Sequence, residues 1–276
     1  MLYLRIIGKT FYYENPLTTV AGQGWPRKPW FNIACCPPNI AKLIGLMPSL
    51  SFSTKDSIVA VHLYHGATLT TALEDDKASE VTVKVEGNVP WEGSVKISTQ
   101  SKRSRPFTLA LRIPEWARDG YSCSLQGKEE NGYVYVFVES DSTIQLELPM
   151  SPKVVHAHPR TRKDDIAIVR GPLVYCAEGC DNDFELETTY VIPSKATVTE
   201  ASRTEIAGIK SVPVLEIEGH VKAGWNDDGS KDLYSQSTAG WEEDVKKVKL
   251  IPYFLRENRG GNGSMRVWLH ALRPLP

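Results

Sequence analysis

The sequence has little of several features that would assign a protein to a class at once. It holds only five cysteines in 276 residues, an odd and low number that argues against a disulfide framework. Charge of neither sign prevails, because 32 basic and 33 acidic residues leave a formal charge of −1. This balance argues against a nucleic-acid partner held by counterion release and against a basic membrane-surface protein.

Long apolar runs and targeting signals are also missing. No stretch approaches the roughly 20 apolar residues that cross a bilayer. Residues 1–8 form too short an apolar run for a secretory signal, and no small-residue cleavage site follows them. We therefore expect no signal peptide, no membrane partner and, by default, a cytoplasmic protein.

What the sequence does contain favours a folded, mainly β protein. Hydrophobic residues make up 41% of the chain, which is enough to bury a core and excludes wholesale disorder. Eighteen prolines and 20 glycines suit many turns. One helix is predicted over 38–47, where an apolar face recurs at helical spacing; its members are Ile40, Leu43, Ile44 and Met47.

Apolar runs and alternating patterns predict strands along the rest of the chain. These strands lie at 57–64, 81–85, 107–113, 133–138, 143–148, 166–170, 173–177, 212–217, 248–251 and 265–269. Short strands at close spacing indicate antiparallel sandwiches. We place boundaries near residues 53 and 150, and a long polar loop over 219–243. A helix as short as 38–47 is marginal in water alone, so it either packs on a sandwich or lacks its partners.

Cys35 and Cys36 stand immediately before this helix, followed by Pro37 and Pro38. A helix N terminus favours the thiolate, which is the form of cysteine that attacks as a nucleophile and binds metals. The pair therefore suits zinc binding or covalent catalysis. Burial as two small hydrophobic residues is the alternative, and spacing alone leaves both open. Two cysteines cannot complete a tetrahedral zinc site without two further ligands.

Several short motifs follow one another in an order that matches a known family. They lie at 11–17 (Phe-Tyr-Tyr-Glu-Asn-Pro-Leu), 30–40 (Trp-Phe-Asn-Ile-Ala-Cys-Cys-Pro-Pro-Asn-Ile), 90–93 (Pro-Trp-Glu-Gly), 111–116 (Leu-Arg-Ile-Pro-Glu-Trp), 170–178 with Asp181 and Asn182, 250–253, 258–260 and 265–268. In these motifs the chain resembles glycoside hydrolase family 127, the β-L-arabinofuranosidase-like enzymes. Cys-Cys-Pro-Pro-Asn shortly after Trp-Phe is the most specific of them.

The resemblance implies the end of an (α/α)6 barrel followed by two antiparallel β-sandwich domains. Residues 1–53 would be the C-terminal remnant of the catalytic barrel, 54–150 the first sandwich and 151–276 the second. A return of the last strands to the first sandwich is left open.

The resemblance also implies a zinc-dependent retaining glycosidase that removes terminal β-L-arabinofuranose from an arabinose-containing oligosaccharide or glycoconjugate. Its nucleophile would be a zinc-bound cysteine thiolate, and a glutamate would serve as general acid/base. Carried over residue by residue, Cys35 is the nucleophile and a zinc ligand, and Cys36 is a second zinc ligand. Tyr13 matches an aromatic residue near the sugar subsite.

The family's remaining groups do not match this sequence. A glutamate and a third cysteine that bind zinc, and the acid/base glutamate, lie upstream in the family's barrel; neither Glu14 nor Glu115 has such a position. We therefore expect a truncated member that is inactive alone. A non-catalytic β-sandwich module that binds carbohydrate or supports a partner is one alternative. A thiol redox or zinc-storage role for Cys35 and Cys36 is another.

Three further expectations concern packing. Cys176 shares strand parity with Val174 and is predicted to lie in the core. Trp91 and Trp116 are interpreted as packing anchors rather than sugar platforms. The basic run over 102–105 is predicted to be a solvated loop.

Overall fold

The structure is a computed structural model that describes residues 10–23, 27–32, 35–139, 141–223, 242–260 and 263–272. In chain order the elements are β1 (Thr18–Thr19), α1 (Cys36–Leu46), β2 (Phe52–Lys55), β3 (Ile58–Val61), β4 (Ala67–Leu73), β5 (Asp76–Gly87), β6 (Ser94–Ser101), β7 (Phe107–Arg112), β8 (Ser122–Cys123), β9 (Gly127–Glu130), β10 (Tyr133–Val138), β11 (Ser142–Glu147), β12 (Pro152–His156), β13 (Ile166–Arg170), β14 (Leu173–Glu178), β15 (Thr189–Val191), β16 (Val198–Ile206), β17 (Ile209–Ala223), β18 (Glu242–Pro252), β19 (Met265–Arg266) and β20 (His270–Ala271). Short 3-10 helices span Met47–Leu50, Glu115–Ala117, Pro159–Thr161, Pro193–Lys195 and Tyr253–Leu255. The predominance of strands confirms the prediction of a mainly β chain.

The chain divides into two compact units. One comprises Met1–Ala34 together with Pro152–Pro276, and the other comprises Cys35–Ser151. We call them the discontinuous unit and the continuous unit. The described residues between 10 and 32 therefore cluster with the C-terminal strands, whereas the division inferred from the resemblance assigns 1–53 to a barrel remnant. That three-part division stays a prediction.

The continuous unit is a sandwich of two five-stranded sheets, ordered β2-β3-β7-β10-β9 and β4-β5-β6-β11-β8. All neighbours are antiparallel except β3 and β7, which run parallel. Alternation explains the packing: Val134, Val136 and Val138 of β10 are buried while Phe137 between them is 60% exposed. Buried valine, leucine and isoleucine side chains from both sheets form one core.

A close backbone approach accounts for the glycine of the Pro-Trp-Glu-Gly motif. Gly93 O accepts a hydrogen bond from Leu148 N at 2.9 Å. A Cβ added at residue 93 would lie 1.8 Å from Leu148 O, far inside van der Waals contact. Trp116 is partly buried against the core of the same unit, which confirms it as a packing residue.

Among its described residues the discontinuous unit contains ten strands, which hydrogen bonds join into one branched sheet. Their order is β1-β19-β14-β18-β17-β15-β20, with β12, β13 and β16 as branches. Apolar side chains of β13, β14, β17 and β18 enclose its core. Cys176 is fully buried, as predicted. Of the described residues, those of β19 and β20 pair with β1, β14 and β15 of this same sheet and not with the continuous unit.

Two predictions need correction. The loop placed over 219–243 is too long, because β17 continues to Ala223 and β18 begins at Glu242; residues 224–241 lie outside the described residues. The basic run over 102–105 is not wholly solvated. Arg103 is buried and its Nη2 donates to Asp75 Oδ2 at 2.6 Å, which also lowers the pKa of that carboxyl group.

Candidate active site

Cys35 and Cys36 lie at the start of α1, as predicted. Cys35 is the N-terminal capping residue of the helix, and prolines occupy the first turn, where no backbone N–H partner is needed. Asn39 Nδ2 donates a hydrogen bond to Cys35 O at 2.9 Å, which fixes the backbone before the helix. Both sulfur atoms thus lie on residues at the N-terminal end of α1.

The two sulfur atoms are spaced as zinc ligands require. Cys35 Sγ and Cys36 Sγ lie 3.7 Å apart, too far for a disulfide bond of about 2.0 Å. Two thiolates on one tetrahedral zinc, each at about 2.3 Å from the ion, would be separated by about 3.8 Å. Cys35 is exposed and Cys36 is half-buried, so burial as two small hydrophobic residues is wrong. The pair fits half of a tetrahedral zinc site.

The helix that carries the pair presents apolar side chains to solvent. None of its residues is buried, and Leu43, Ile44 and Leu46 are each more than 40% exposed. The apolar face predicted from the sequence thus exists, but within the described residues it does not pack on the sandwich. Packing on the sandwich, one of the two outcomes expected from the helix's length, is therefore not seen among the described residues, and the other outcome, missing partners, stays a prediction.

Tyr13 belongs to the discontinuous unit, whereas Cys35 and Cys36 belong to the continuous unit. The Tyr13 ring is half-buried and lies 5.4 Å from the ring of Phe31, which in turn lies 5.2 Å from Phe11. Phe11 N and O both bond the backbone of Lys28. Tyr13 is therefore held by an aromatic cluster on two paired segments.

The neighbouring Tyr12 anchors these segments to the C-terminal part of the unit. Its ring is sandwiched between the guanidinium groups of Arg27 and Arg256, 4.4 Å and 3.9 Å from the ring centroid. Its hydroxyl donates to a carboxylate oxygen of Glu257. Burial, followed by the bond to Glu257, raises the pKa of Tyr12 well above its usual value. Tyr12 thus stays protonated and is structural.

A second group of metal-binding side chains was not predicted. Glu178, Cys180 and Asp181 bring one possible ligand atom each to within 4.8 Å of one another, which makes them a possible metal-binding group. Glu178 closes β14, and the other two follow in the next turn. The sequence signal was the Glu-x-Cys-Asp spacing within the 170–182 motif.

Arg259 already pairs with both carboxylates of this group. Its Nη2 donates to Glu178 Oε2 at 2.6 Å and its Nη1 to Asp181 Oδ1 at 2.6 Å. Burial raises the pKa of the Cys180 thiol to about 11, which keeps it protonated, and thiols bind zinc as thiolates. The group therefore fits zinc poorly and acts as an ion-pair network that joins β14 to the segment after β18.

Comparisons with known proteins identify the class of scaffold. Residues 58–150 match the family model described as beta-L-arabinofuranosidase, GH127 middle domain, and residues 152–270 match the glycoside hydrolase family 127 C-terminal domain. These two matches define the β-domains of a glycoside hydrolase and cover most of the sequence. The chain belongs to glycoside hydrolase family 127, in agreement with the motif resemblance.

Individual relatives agree with this assignment. The chain is 33% identical to a non-reducing end beta-L-arabinofuranosidase of Bifidobacterium longum subsp. longum, over 95% of this chain and 42% of that protein. It superposes with a TM-score of 0.80 on the crystal structure of a GH127 beta-L-arabinofuranosidase from Geobacillus stearothermophilus T6, at 29% identity over 98% of this chain and 44% of the other. A further solved structure, titled glycoside hydrolase, gives a TM-score of 0.80 at 25% identity, over 98% of this chain and 46% of that one.

The chain thus spans less than half the length of these relatives. Among the described residues, no helix is long and apolar enough to cross a membrane.

Proposed function

We propose that this chain supplies the nucleophile and two zinc ligands of a retaining β-L-arabinofuranosidase. Cys35 would attack the anomeric carbon of a terminal β-L-arabinofuranose, and Cys36 would hold zinc together with Cys35. The observation that carries the proposal is the Cys35–Cys36 sulfur separation of 3.7 Å at an exposed helix start. The 33% identity to an arabinofuranosidase supports the choice of sugar.

The proposed reaction needs side chains of this chain and further side chains that have no counterpart in this sequence. Bound zinc would keep the two thiols ionised at neutral pH. Both cysteines are held in place by the start of α1, so the Cys35 thiolate would be in position before the sugar binds. A retaining mechanism also needs a carboxylic acid that protonates the leaving oxygen. By the family resemblance, that glutamate and the remaining zinc ligands, a glutamate and a cysteine, come from the upstream barrel.

Tyr13 would line the sugar subsite in the complete enzyme. Its ring is held by Phe31, and its backbone belongs to the paired segments described above. An aromatic side chain held in this way can contact the apolar face of a sugar ring without losing rotamer freedom on binding. The exposed apolar face of α1 is where the preceding barrel helices would pack.

The test is the release of L-arabinose from a β-L-arabinofuranoside by the longest native polypeptide that contains this chain. We expect zinc in the purified protein and release of the β-L-furanosyl substrate well above that of α-L-arabinofuranosides and of arabinopyranosides. A zinc-loaded protein that releases no pentose would contradict the proposal. If that protein nevertheless bound arabino-oligosaccharides, the alternative of a non-catalytic β-sandwich module would be supported.

A further inference from the structure

A cavity of about 530 Å³ lies within the discontinuous unit, among residues that the proposed chemistry does not use. Its lining combines one aromatic side chain with several charged and polar ones. Those that matter here are Trp268, Arg266, His270, Lys163, Asp165 and Thr161. The volume is within the range of small-molecule sites.

The segment from β19 to β20 builds one side of the cavity. Val267 and Leu269 are buried, whereas Arg266, Trp268 and His270 are only half-buried. Leu269 is held to Ile166 by two backbone hydrogen bonds of 3.0 Å and 2.8 Å. The chain bends at residues 267 and 268 between the two short strands, and Arg266, Trp268 and His270 all line the cavity.

A tight turn contributes another part of the lining. The 3-10 helix Pro159–Thr161 ends at Arg162, whose φ of +57° reverses the chain. Thr161 Oγ1 donates to His158 O at 2.8 Å and accepts from Lys163 N at 3.3 Å. The turn therefore holds the backbone of Lys163 at the cavity, and the lysine side chain is not needed for this placement.

Two features of the lining indicate a polar ligand. Arg266 is half-buried at the wall and, with Lys163, supplies the basic groups of the lining. Asp165 Oδ1 lies 3.1 Å from His270 Nδ1, which fixes an acceptor carboxylate and an imidazole side by side at the wall.

We infer that this cavity is a carbohydrate-binding site that holds one sugar unit of a glycan. A sugar ring offers an apolar face, which suits Trp268, and hydroxyl groups that both donate and accept, which suit Asp165 together with Arg266 and Lys163. A phosphate would suit the two basic groups but not the carboxylate or the indole. The choice of an arabinose-containing glycan rests on the proposed function.

The test measures binding of an L-arabinofuranosyl oligosaccharide to this chain by isothermal titration calorimetry, with inorganic phosphate as the comparison ligand. We expect Trp268→Ala to weaken binding by about tenfold or more. Because Trp268 is half-buried and its loss could impair folding, Lys163→Met, at an exposed position, provides a second variant with an expected loss of about threefold. Lys210→Met, at an exposed lysine of β17 outside the cavity, is the matched control and should bind as the wild type does.

Absence of oligosaccharide binding to the wild-type chain would overturn the inference. Equal binding by the wild type, Trp268→Ala and Lys163→Met would also overturn it, as would phosphate binding that displaces the sugar. Failure of this inference and failure of the proposed function are distinguishable. If sugar binding depends on Trp268 but the protein never releases pentose, the carbohydrate site is supported and the proposed enzymatic function is contradicted. If the protein releases pentose but sugar binding does not depend on Trp268, the proposed function is supported and the carbohydrate site is contradicted.

Discussion

Removing Arg259 should destabilise the discontinuous unit, and the cost can be worked out from the ion-pair network. The Glu178 side chain is 4% exposed and Arg259 is 26% exposed. Breaking a buried pair by removal of one partner costs about 3–5 kcal/mol, because the remaining charge is left buried. Glu178 keeps the bond that Glu257 N donates to it at 2.5 Å, and Arg259 is partly hydrated. We therefore expect Arg259→Met to cost about 3 kcal/mol, the lower end of that range.

The cost should depend on pH in a direction that the structure sets. Burial raises the pKa of Glu178 above its ordinary value of 4.5. Loss of the guanidinium raises that pKa further, since a nearby positive charge favours the carboxylate. A group whose folded pKa is raised gives stability that is present at low pH and is lost as pH rises through that pKa. The penalty of Arg259→Met should thus be largest near pH 7.5 and shrink toward pH 5.

Hydrogen exchange measured by mass spectrometry is the suitable assay, because it reports the opening free energy of β17 and β18 within this unit. Glu178→Gln combined with Arg259→Met removes both charges and should recover most of the loss. Lys246→Met, in β18 of the same unit, breaks a pair with Asp244 whose side chains are 40% and 51% exposed and should cost less than about 1 kcal/mol. A cost of Arg259→Met below about 1 kcal/mol at pH 7.5, or an equal cost at both pH values, would refute the reasoning.

Three other predictions concern the continuous unit. Gly93→Ala should destabilise it by more than about 2 kcal/mol, because the added Cβ meets Leu148 O at 1.8 Å; an unchanged thermal midpoint would contradict this. Burial, followed by the charge of Arg112, lowers the pKa of His62 below 6.5. The folded state therefore binds a proton at His62 less readily than the unfolded state does. The stability that is present above pH 6.5 should fall as the pH drops through the lowered pKa. His62→Gln should flatten that dependence in thermal melts at pH 7.5 and 5.5, and an unchanged slope would contradict it. Cys36→Ser should weaken zinc binding by about 100-fold in a competition titration, while Cys180→Ser, whose thiol is kept protonated, should leave it unchanged; equal losses would contradict the assignment of ligands.

Local patterns predicted the strands that bury every second side chain. The valines of β10 alternate with half-buried or exposed residues, so their period is visible in the sequence. In β7 the leucines keep the same period, although Ala110 between them is buried as well. β16 was missed because it is exposed over nearly all of its length and has no apolar period. β4 and β6 were missed because threonine and serine occupy much of their faces.

Contacts between distant residues could not be predicted from local patterns. Arg103 pairs with Asp75, and Arg259 pairs with Glu178, across many residues of chain. A basic run is normally solvated, so nothing near Arg103 indicates its buried partner. The cavity around Trp268 likewise depends on a turn that begins about a hundred residues earlier.

The candidate active site was predicted in part. The Cys-Cys-Pro-Pro pattern indicates a helix start with two adjacent thiols, and the structure places both there. Spacing alone left zinc and burial open; the exposure of Cys35 argues against burial, and zinc binding stays a prediction. Nothing in the sequence could show that the helix would expose its apolar face, since that depends on what packs against it.

The central claim is that the Cys35 thiolate is the nucleophile, and the most direct test is the rate of L-arabinose release by Cys35→Ser. The assay uses the longest native polypeptide that contains this chain, with Cys180→Ser as the matched thiol control. Loss of the nucleophile should lower kcat by about 10³-fold or more, while the control should keep its rate. A Cys35→Ser enzyme that retains a rate within about tenfold of the wild type would contradict the account.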